Sequence, residues 1–136
     1  MKIVLDHIVL NVRNVADSVT FYRDVLELEI ERFEEFERGR VLFPSARINE
    51  DTVIDFFSPE LWQIPGEETI AKAQNLNHFC LTYNESAWNR LIERLRFHEI
   101  KINRYADNNW GAQGIGISIY FNDIDGNEIE ARYYQK

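Results

Sequence analysis

Two histidines and two carboxylates carry the chemistry that this chain could do. His7 lies in Leu5-Asp6-His7-Ile8-Val9-Leu10-Asn11-Val12, and His78 lies in Leu76-Asn77-His78-Phe79-Cys80-Leu81-Thr82-Tyr83. Both segments alternate in the manner of a strand. Asp55 follows Ile54 within Thr52–Phe56, and Glu130 follows Ile129 within Asn127–Ala131. A carboxylate in an otherwise apolar strand is costly unless it is paired or coordinated. A neutral imidazole offers one lone pair to a cation while its other N–H is held by an acceptor. Two histidines and one carboxylate, with water filling the remaining positions, form a common arrangement for a catalytic divalent ion. The expected ligands are His7, His78 and Glu130, with Asp55 as a fourth ligand, bound directly or through water. Taken singly, each of these residues reads as structural. Their recurrence in two matching halves is what points to metal.

That recurrence comes from the elements around them. After each histidine strand the chain takes a helical pattern, with Phe21, Tyr22, Val25 and Leu26 on one face of the first helix. Trp88, Leu91, Ile92 and Leu95 share a face of the second. Asn14 or Asp17 caps the first helix, and Asn84 or Ser86 the second. Three strands follow each helix. They run approximately Leu28–Glu37, Arg40–Ile48 and Asp51–Phe57 in the first half, with Arg38-Gly39 near a turn. In the second half they run approximately Ile100–Asn108, Gly114–Asn122 and Asn127–Tyr134, and Asp125-Gly126 marks a tight turn. Each half thus opens on a strand with a His and closes on a strand with an acid. The expected organisation is one domain over residues 1–136: a first module at about 1–58, a linker at about 59–74 with Pro59, Pro65 and Gly66, and a second module at about 75–136.

Composition limits the partners. A formal net charge of −8 excludes the basic footprint that a nucleic-acid binder needs and disfavours an acidic membrane surface. The only cysteine, Cys80, has no partner for an internal disulfide, which suits a reducing compartment. No stretch reaches the roughly 20 apolar residues of a membrane span, and the first ten residues carry Asp6 and His7 within their apolar run, unlike a signal peptide. A soluble, cytoplasmic protein acting on a small molecule is expected. Cys80 is expected as a small buried hydrophobe, and His98 as an exposed residue after the second helix. Arg104–Gly114, which mixes Arg, Tyr, Asn and Trp, reads as a substrate loop or as a solvent loop with one packed Trp. Trp62 reads as a lid or a core plug.

The chain resembles the vicinal oxygen chelate superfamily of glyoxalases, bleomycin-resistance proteins and extradiol dioxygenases. The resemblance runs from about Ile3 to Tyr134. It rests on Leu5–Leu10, on Ser18–Leu26 and above all on Ser118–Glu130, where Ile124 stands in place of the family's usual Pro. It implies an α+β fold of two tandem βαβββ modules forming a cup-shaped mixed sheet around a metal site. His7, His78 and Glu130 match the family's ligand positions, and Asp55 matches a position that is Glu in many glyoxalases. The implied cofactor is one divalent ion, with Zn, Ni, Mn, Co and Fe left open.

The implied function is a metal-dependent lyase or isomerase of glyoxalase type that chelates a small oxygenated substrate and stabilises an enolate-like intermediate, with Glu130 or Asp55 moving the proton. An Fe(II) extradiol ring-cleaving dioxygenase and a non-enzymatic drug- or metabolite-binding protein remain as alternatives, and retention of the ligands favours an enzyme. Asn11, Arg104, Trp110 and Tyr120 are candidate substrate contacts. Asn11 stands near the place where glyoxalase I commonly has an arginine that contacts glutathione. Two-module members commonly pair, so a homodimer is expected.

Overall fold

The computed structural model describes residues 3–63 and 76–135. The chain divides into two compact units, Met1–Ala71 and Lys72–Lys136. Each holds a four-stranded mixed sheet, so the fold is α+β and built from two βαβββ modules. The first runs β1 (His7–Asn11), α1 (Val15–Asp24), β2 (Glu29–Glu31), α2 (Phe33–Glu37), β3 (Ser45–Arg47), β4 (Val53–Phe57) and α3 (Pro59–Trp62). The second runs β5 (Phe79–Thr82), α4 (Glu85–Phe97), β6 (Ile102–Gly111), β7 (Gly114–Asn122) and β8 (Glu128–Tyr133). Strand order is β1-β4-β3-β2 in one sheet and β5-β8-β7-β6 in the other. The opening strand lies parallel to the closing strand in both, β1 on β4 and β5 on β8.

The helices form where capping and periodicity place them. Asn14 Oδ1 accepts from the Asp17 amide at 2.9 Å, and Asn84 Oδ1 accepts from the Ala87 amide at 2.8 Å, so asparagine is the cap in both halves. Phe21, Tyr22, Val25 and Leu26 are buried, as are Trp88, Leu91, Ile92 and Leu95. In the first unit Tyr22 lies against Phe56, ring centroids 5.1 Å apart. In the second, Trp88 donates to the Ala131 carbonyl at 2.8 Å and meets Tyr133 edge-on. Burying each such ring contributes roughly 1.5–3 kcal/mol. Alternate residues of β4 and β8 thus face a helix, which leaves Asp55, Glu130 and Arg132 on the opposite face.

Three expectations change. The strand expected over Leu28–Glu37 stops at Glu31, because Arg32 takes a left-handed backbone (φ 65°) and Phe33–Glu37 closes into α2, with the rings of Phe33 and Phe36 stacked at helical spacing. The strand expected over Arg40–Ile48 shrinks to Ser45–Arg47. Arg104–Gly114 is no loop. It continues β6 to Gly111 and turns through Ala112-Gln113 into Gly114 (φ 98°), with register shifts between Ile102 and Arg104 and between Ala106 and Asn109. The expected turn glycines Gly39 and Gly126 both take positive φ, as only glycine does freely. Of the expected linker 59–74, α3 is seen, while residues 64–75 lie outside the described residues.

One contact fastens the first sheet's edge. Arg47 forks onto Glu31, Nε to Oε2 at 2.8 Å and Nη2 to Oε1 at 3.1 Å, while its Nη1 donates to the carbonyls of Asn49 and Glu50. The hydrogen bond from Arg47 holds the Glu31 carboxyl below the usual carboxylate range against the opposing effect of burial. A carboxyl whose folded pKa is lowered contributes stability above its ordinary pKa, and that contribution is lost as pH falls through the folded value. Arg47→Ala is therefore expected to lower the thermal midpoint by a few degrees near neutral pH, and by clearly less once the pH has fallen through the lowered folded pKa of Glu31, where the carboxyl is protonated in both proteins. The pair is a third exposed, which keeps the effect small. Equal losses at both pH values, measured by scanning calorimetry, would remove the ion pair as the cause.

Candidate metal centre

The histidine and the carboxylate of each half are neighbours across the parallel pair of strands. Val9 is in register with Asp55, and two residues before it stands His7. Cys80 is in register with Glu130, and two residues before it stands His78. The match extends across both sheets. Val9, Asp55, Ser45 and Glu31 form one cross-strand row, and Cys80, Glu130, Tyr120 and Arg104 form the equivalent row in the second sheet. The repeat legible in the sequence is thus one of register as well as of residue type.

Both imidazoles are oriented the same way. His7 Nδ1 lies 2.7 Å from Asp6 Oδ2, and His78 Nδ1 lies 2.6 Å from Asn77 Oδ1. Both partners are acceptors, so they suit a proton on Nδ1, and in that tautomer Nε2 keeps its lone pair for a cation. The hydrogen bond to Asp6 raises the His7 pKa, burial opposes it, and the charge of Asp55 adds to the rise. His78 Nε2 faces Glu130 Oε1 at 3.1 Å. A lone pair and a carboxylate oxygen face one another stably only with a proton or a cation between them. Ligand bonds of about 2.1 Å at right angles put neighbouring donor atoms about 3 Å apart, so this pair has the spacing of two ligands of one ion. Among the described residues no three His, Cys, Asp or Glu side chains converge as a metal-holding group. Each half brings together one histidine and one carboxylate.

The carboxylates are buried and partnered. Asp55 Oδ1 accepts from Ser45 Oγ at 2.6 Å, and its second oxygen accepts no hydrogen bond from a described residue. Glu130 Oε2 accepts from Ser118 Oγ at 2.6 Å and from Arg132 through Nη2 at 2.6 Å and Nε at 3.1 Å. Burial pushes the Glu130 carboxyl up, but hydrogen bonds from Ser118, Arg132 and Tyr120 and the guanidinium charge outweigh it, so the group stays below the usual carboxylate range. Arg132 is itself buried; burial pulls its pKa down, and the bonds to Glu130 and Tyr134 more than offset that.

The candidate substrate contacts fall in different settings. Tyr120 is buried beside the pair, meets His78 edge-on at 5.6 Å, and accepts from Asn109 Nδ2 at 2.7 Å. Arg104 lies over the Tyr120 ring, 3.6 Å from its centroid, and shares Glu128 with Asn103. Trp110 projects from β6 with 79% of its surface exposed, and Asn11 is exposed at the end of β1. Trp62, half-buried, donates to the Val12 carbonyl at 3.0 Å within its own unit. His98 is exposed beyond α4, as expected. Cys80 is a correction: β5 is an edge strand, so the side chain is exposed rather than a buried hydrophobe. The protein mass around the sulfur and the nearby Glu130 carboxylate nevertheless push its thiol up to about 11.

Sequence reasoning missed Ser45, Ser118 and Arg132. The alternation Glu130-Ala131-Arg132 already places the acid and the arginine on one face. An arginine two residues from an acid reads as a solvated pair, however, until the sheet that covers it is known.

Two four-stranded βαβββ sheets, each with a histidine at or immediately before the start of its opening strand and a carboxylate on its closing strand, define a class. The chain belongs to the glyoxalase/bleomycin resistance protein/dioxygenase superfamily, whose profile matches residues 4–131. Among solved structures it is similar to an integron cassette protein from the mobile metagenome of V. cholerae, with 27% identity, 99% of this chain and 98% of that one covered, and a TM-score of 0.69. A virulence protein from Salmonella typhimurium matches at 21% identity, with 99% of each chain covered and a TM-score of 0.74. A lactoylglutathione lyase from Agrobacterium tumefaciens matches at 19% identity, over 96% of this chain and 92% of that one, with a TM-score of 0.64. The last two likenesses are of fold.

Proposed function

We propose that this chain is a divalent-metal-dependent lyase or isomerase of glyoxalase type that acts on a small oxygenated substrate. The observation that carries the reading is His78 Nε2 lying 3.1 Å from Glu130 Oε1 while its Nδ1 sits on Asn77 Oδ1, with the matching His7 and Asp55 in the other half. Two such pairs supply four donors, His7, Asp55, His78 and Glu130, and leave two positions of an octahedral shell for substrate oxygens. Superfamily membership supports this, since its members typically bind a divalent metal. The modules at about 1–58 and 75–136 act as one domain in this reading.

A divalent ion held by these donors would polarise the substrate oxygens and acidify the neighbouring C–H. The two carboxylates divide the remaining work. Glu130, clamped by Ser118 and Arg132 and held ionised, suits a fixed ligand and makes a poor proton acceptor. Asp55 is held by one hydrogen bond, from Ser45 to Oδ1, which leaves its second oxygen placed to take the substrate proton. Tyr120 and Arg104 share the Glu130 row of the second sheet as substrate contacts, Trp110 is a candidate from the other face of the β6–β7 hairpin, and Asn11 is one on the first sheet.

One observation favours a second reading. Tyr120 touches both His78 and Glu130, a hydroxyl beside two candidate ligands, which also suits an Fe(II) ring-cleaving dioxygenase. We also infer a cytoplasmic homodimer. The edge strand β1 and the residues leading into it expose Ile3, Leu5 and Val9, apolar surface that a second copy would cover. No described helix is long and apolar enough to cross a membrane.

Metal content tests the proposal. Protein purified without chelator or affinity metal is expected to carry about one equivalent of divalent ion by mass spectrometry, and to turn over 2-oxoaldehyde adducts when the ion is Ni, Zn, Mn or Co. Iron, with catechol cleavage under oxygen, would establish the dioxygenase instead. No metal, and none taken up on reconstitution, would leave a binding protein as the better account.

A further inference from the structure

We propose that Arg132 is a positioning residue that fixes Glu130 as a one-oxygen ligand and ties that ligand to the tip of the β6–β7 hairpin. The inference rests on the metal reading above. All five N–H donors of the Arg132 guanidinium are committed. Nε and one Nη2 hydrogen go to Glu130 Oε2, and the other Nη2 hydrogen goes to the Trp110 carbonyl at 3.3 Å. Nη1 donates to the Asn109 carbonyl and to Tyr134 Oη, both at 3.3 Å. Tyr134 Oη in turn accepts from the Gln113 amide at the turn itself. No donor is left for a substrate, so the arginine acts through the groups it holds.

The chain makes room for this arrangement at two glycines. A Cβ on Gly111 would stand 2.1 Å from Arg132 Nη1 and 2.5 Å from Tyr134 Oη. A Cβ on Gly116 would come within 3.3 Å of Arg132 Cδ. Gly111 shows no positive φ, so what it requires is the absence of a side chain in the guanidinium's seat. With Oε2 held by three donors, one from Ser118 and two from Arg132, Oε1 is the oxygen turned toward His78. The clamp therefore selects which carboxylate oxygen a cation meets and prevents the group from rotating into a two-oxygen grip. It also makes the hairpin that carries Trp110 a direct neighbour of the ligand.

Two variants separate geometry from charge. Arg132→Lys keeps the positive charge but loses the fork that reaches Glu130 and two carbonyls together. Gly111→Ala keeps the arginine and evicts its guanidinium. The full chain is titrated with Co²⁺ alone by calorimetry, the visible d–d bands of each complex are recorded, and near-ultraviolet circular dichroism confirms that each metal-free variant is folded. Both variants are expected to bind Co²⁺ roughly 10–100-fold more weakly than the parent, with changed band positions and intensities as Glu130 becomes free to offer both oxygens. Wild-type affinity and spectrum in either variant overturn the proposal and leave the metal reading standing. Weaker binding with an unchanged spectrum also overturns it, because general loosening would suffice. A parent chain that takes up no Co²⁺ removes the metal reading and this proposal with it.

Discussion

His78→Ala is expected to lower the affinity of the chain for a divalent cation by roughly a hundredfold or more, while the protein stays folded. The side chain is 31% exposed, and its contacts are the link to Asn77, the edge contact with Tyr120 and the approach to Glu130. None of these anchors the core, so removing the ring mainly removes a donor. The matching substitution His7→Ala should do the same, since His7 is half exposed and, among the described residues, its ring hydrogen-bonds only to Asp6. Equilibrium titration with Co²⁺ or Ni²⁺, beside a urea denaturation of the metal-free protein, reads both effects at once. Wild-type affinity in His78→Ala would take that histidine out of the ligand set. A protein that unfolds on losing the ring would show instead that His78 is structural.

The sequence also suggests Glu130→Ala as an equivalent and gentle test, and here the structure changes the expectation. Histidine positions and the acids were legible because they repeat, and because a buried carboxylate in an apolar strand demands a partner. What the repeat could not supply was the identity of that partner. Asp55 is met by Ser45, its register neighbour, whereas Glu130 is met by Ser118 and Arg132, which have no counterparts at the matching positions of the first half. A residue outside the repeat carries no internal signal. The glycines give a faint one: Gly111 and Gly116 flank the turn, yet only the pairing of β6 with β7 and β8 reveals that they make space for a guanidinium. Helix faces and caps were readable for the opposite reason, since they depend on neighbours within four residues. The strand broken at Arg32 was not, because a single left-handed residue overrides the pattern on either side of it.

Arg132→Met is the substitution expected to cost the most stability in the metal-free protein, about 3–5 kcal/mol, because it leaves the buried Glu130 carboxylate without its counter-charge. Methionine follows the same path as the arginine stem, so the loss falls on the charge and the hydrogen bonds more than on packing. The second member of the test is Glu130→Gln in the same background. Its amide can still accept from Ser118, and an N–H turned toward His78 would meet the Nε2 lone pair where Oε1 now stands. With no stranded charge on either side, the double variant is expected to recover a large part of what Arg132→Met loses, as paired replacement of a buried ion pair commonly does. Urea denaturation of the parent, both single variants and the double variant closes the cycle. A double variant no more stable than Arg132→Met would place the cost in the Asn109 and Trp110 carbonyls that the guanidinium serves. Arg132 would then be chiefly a staple of the hairpin, with the carboxylate a passenger on it.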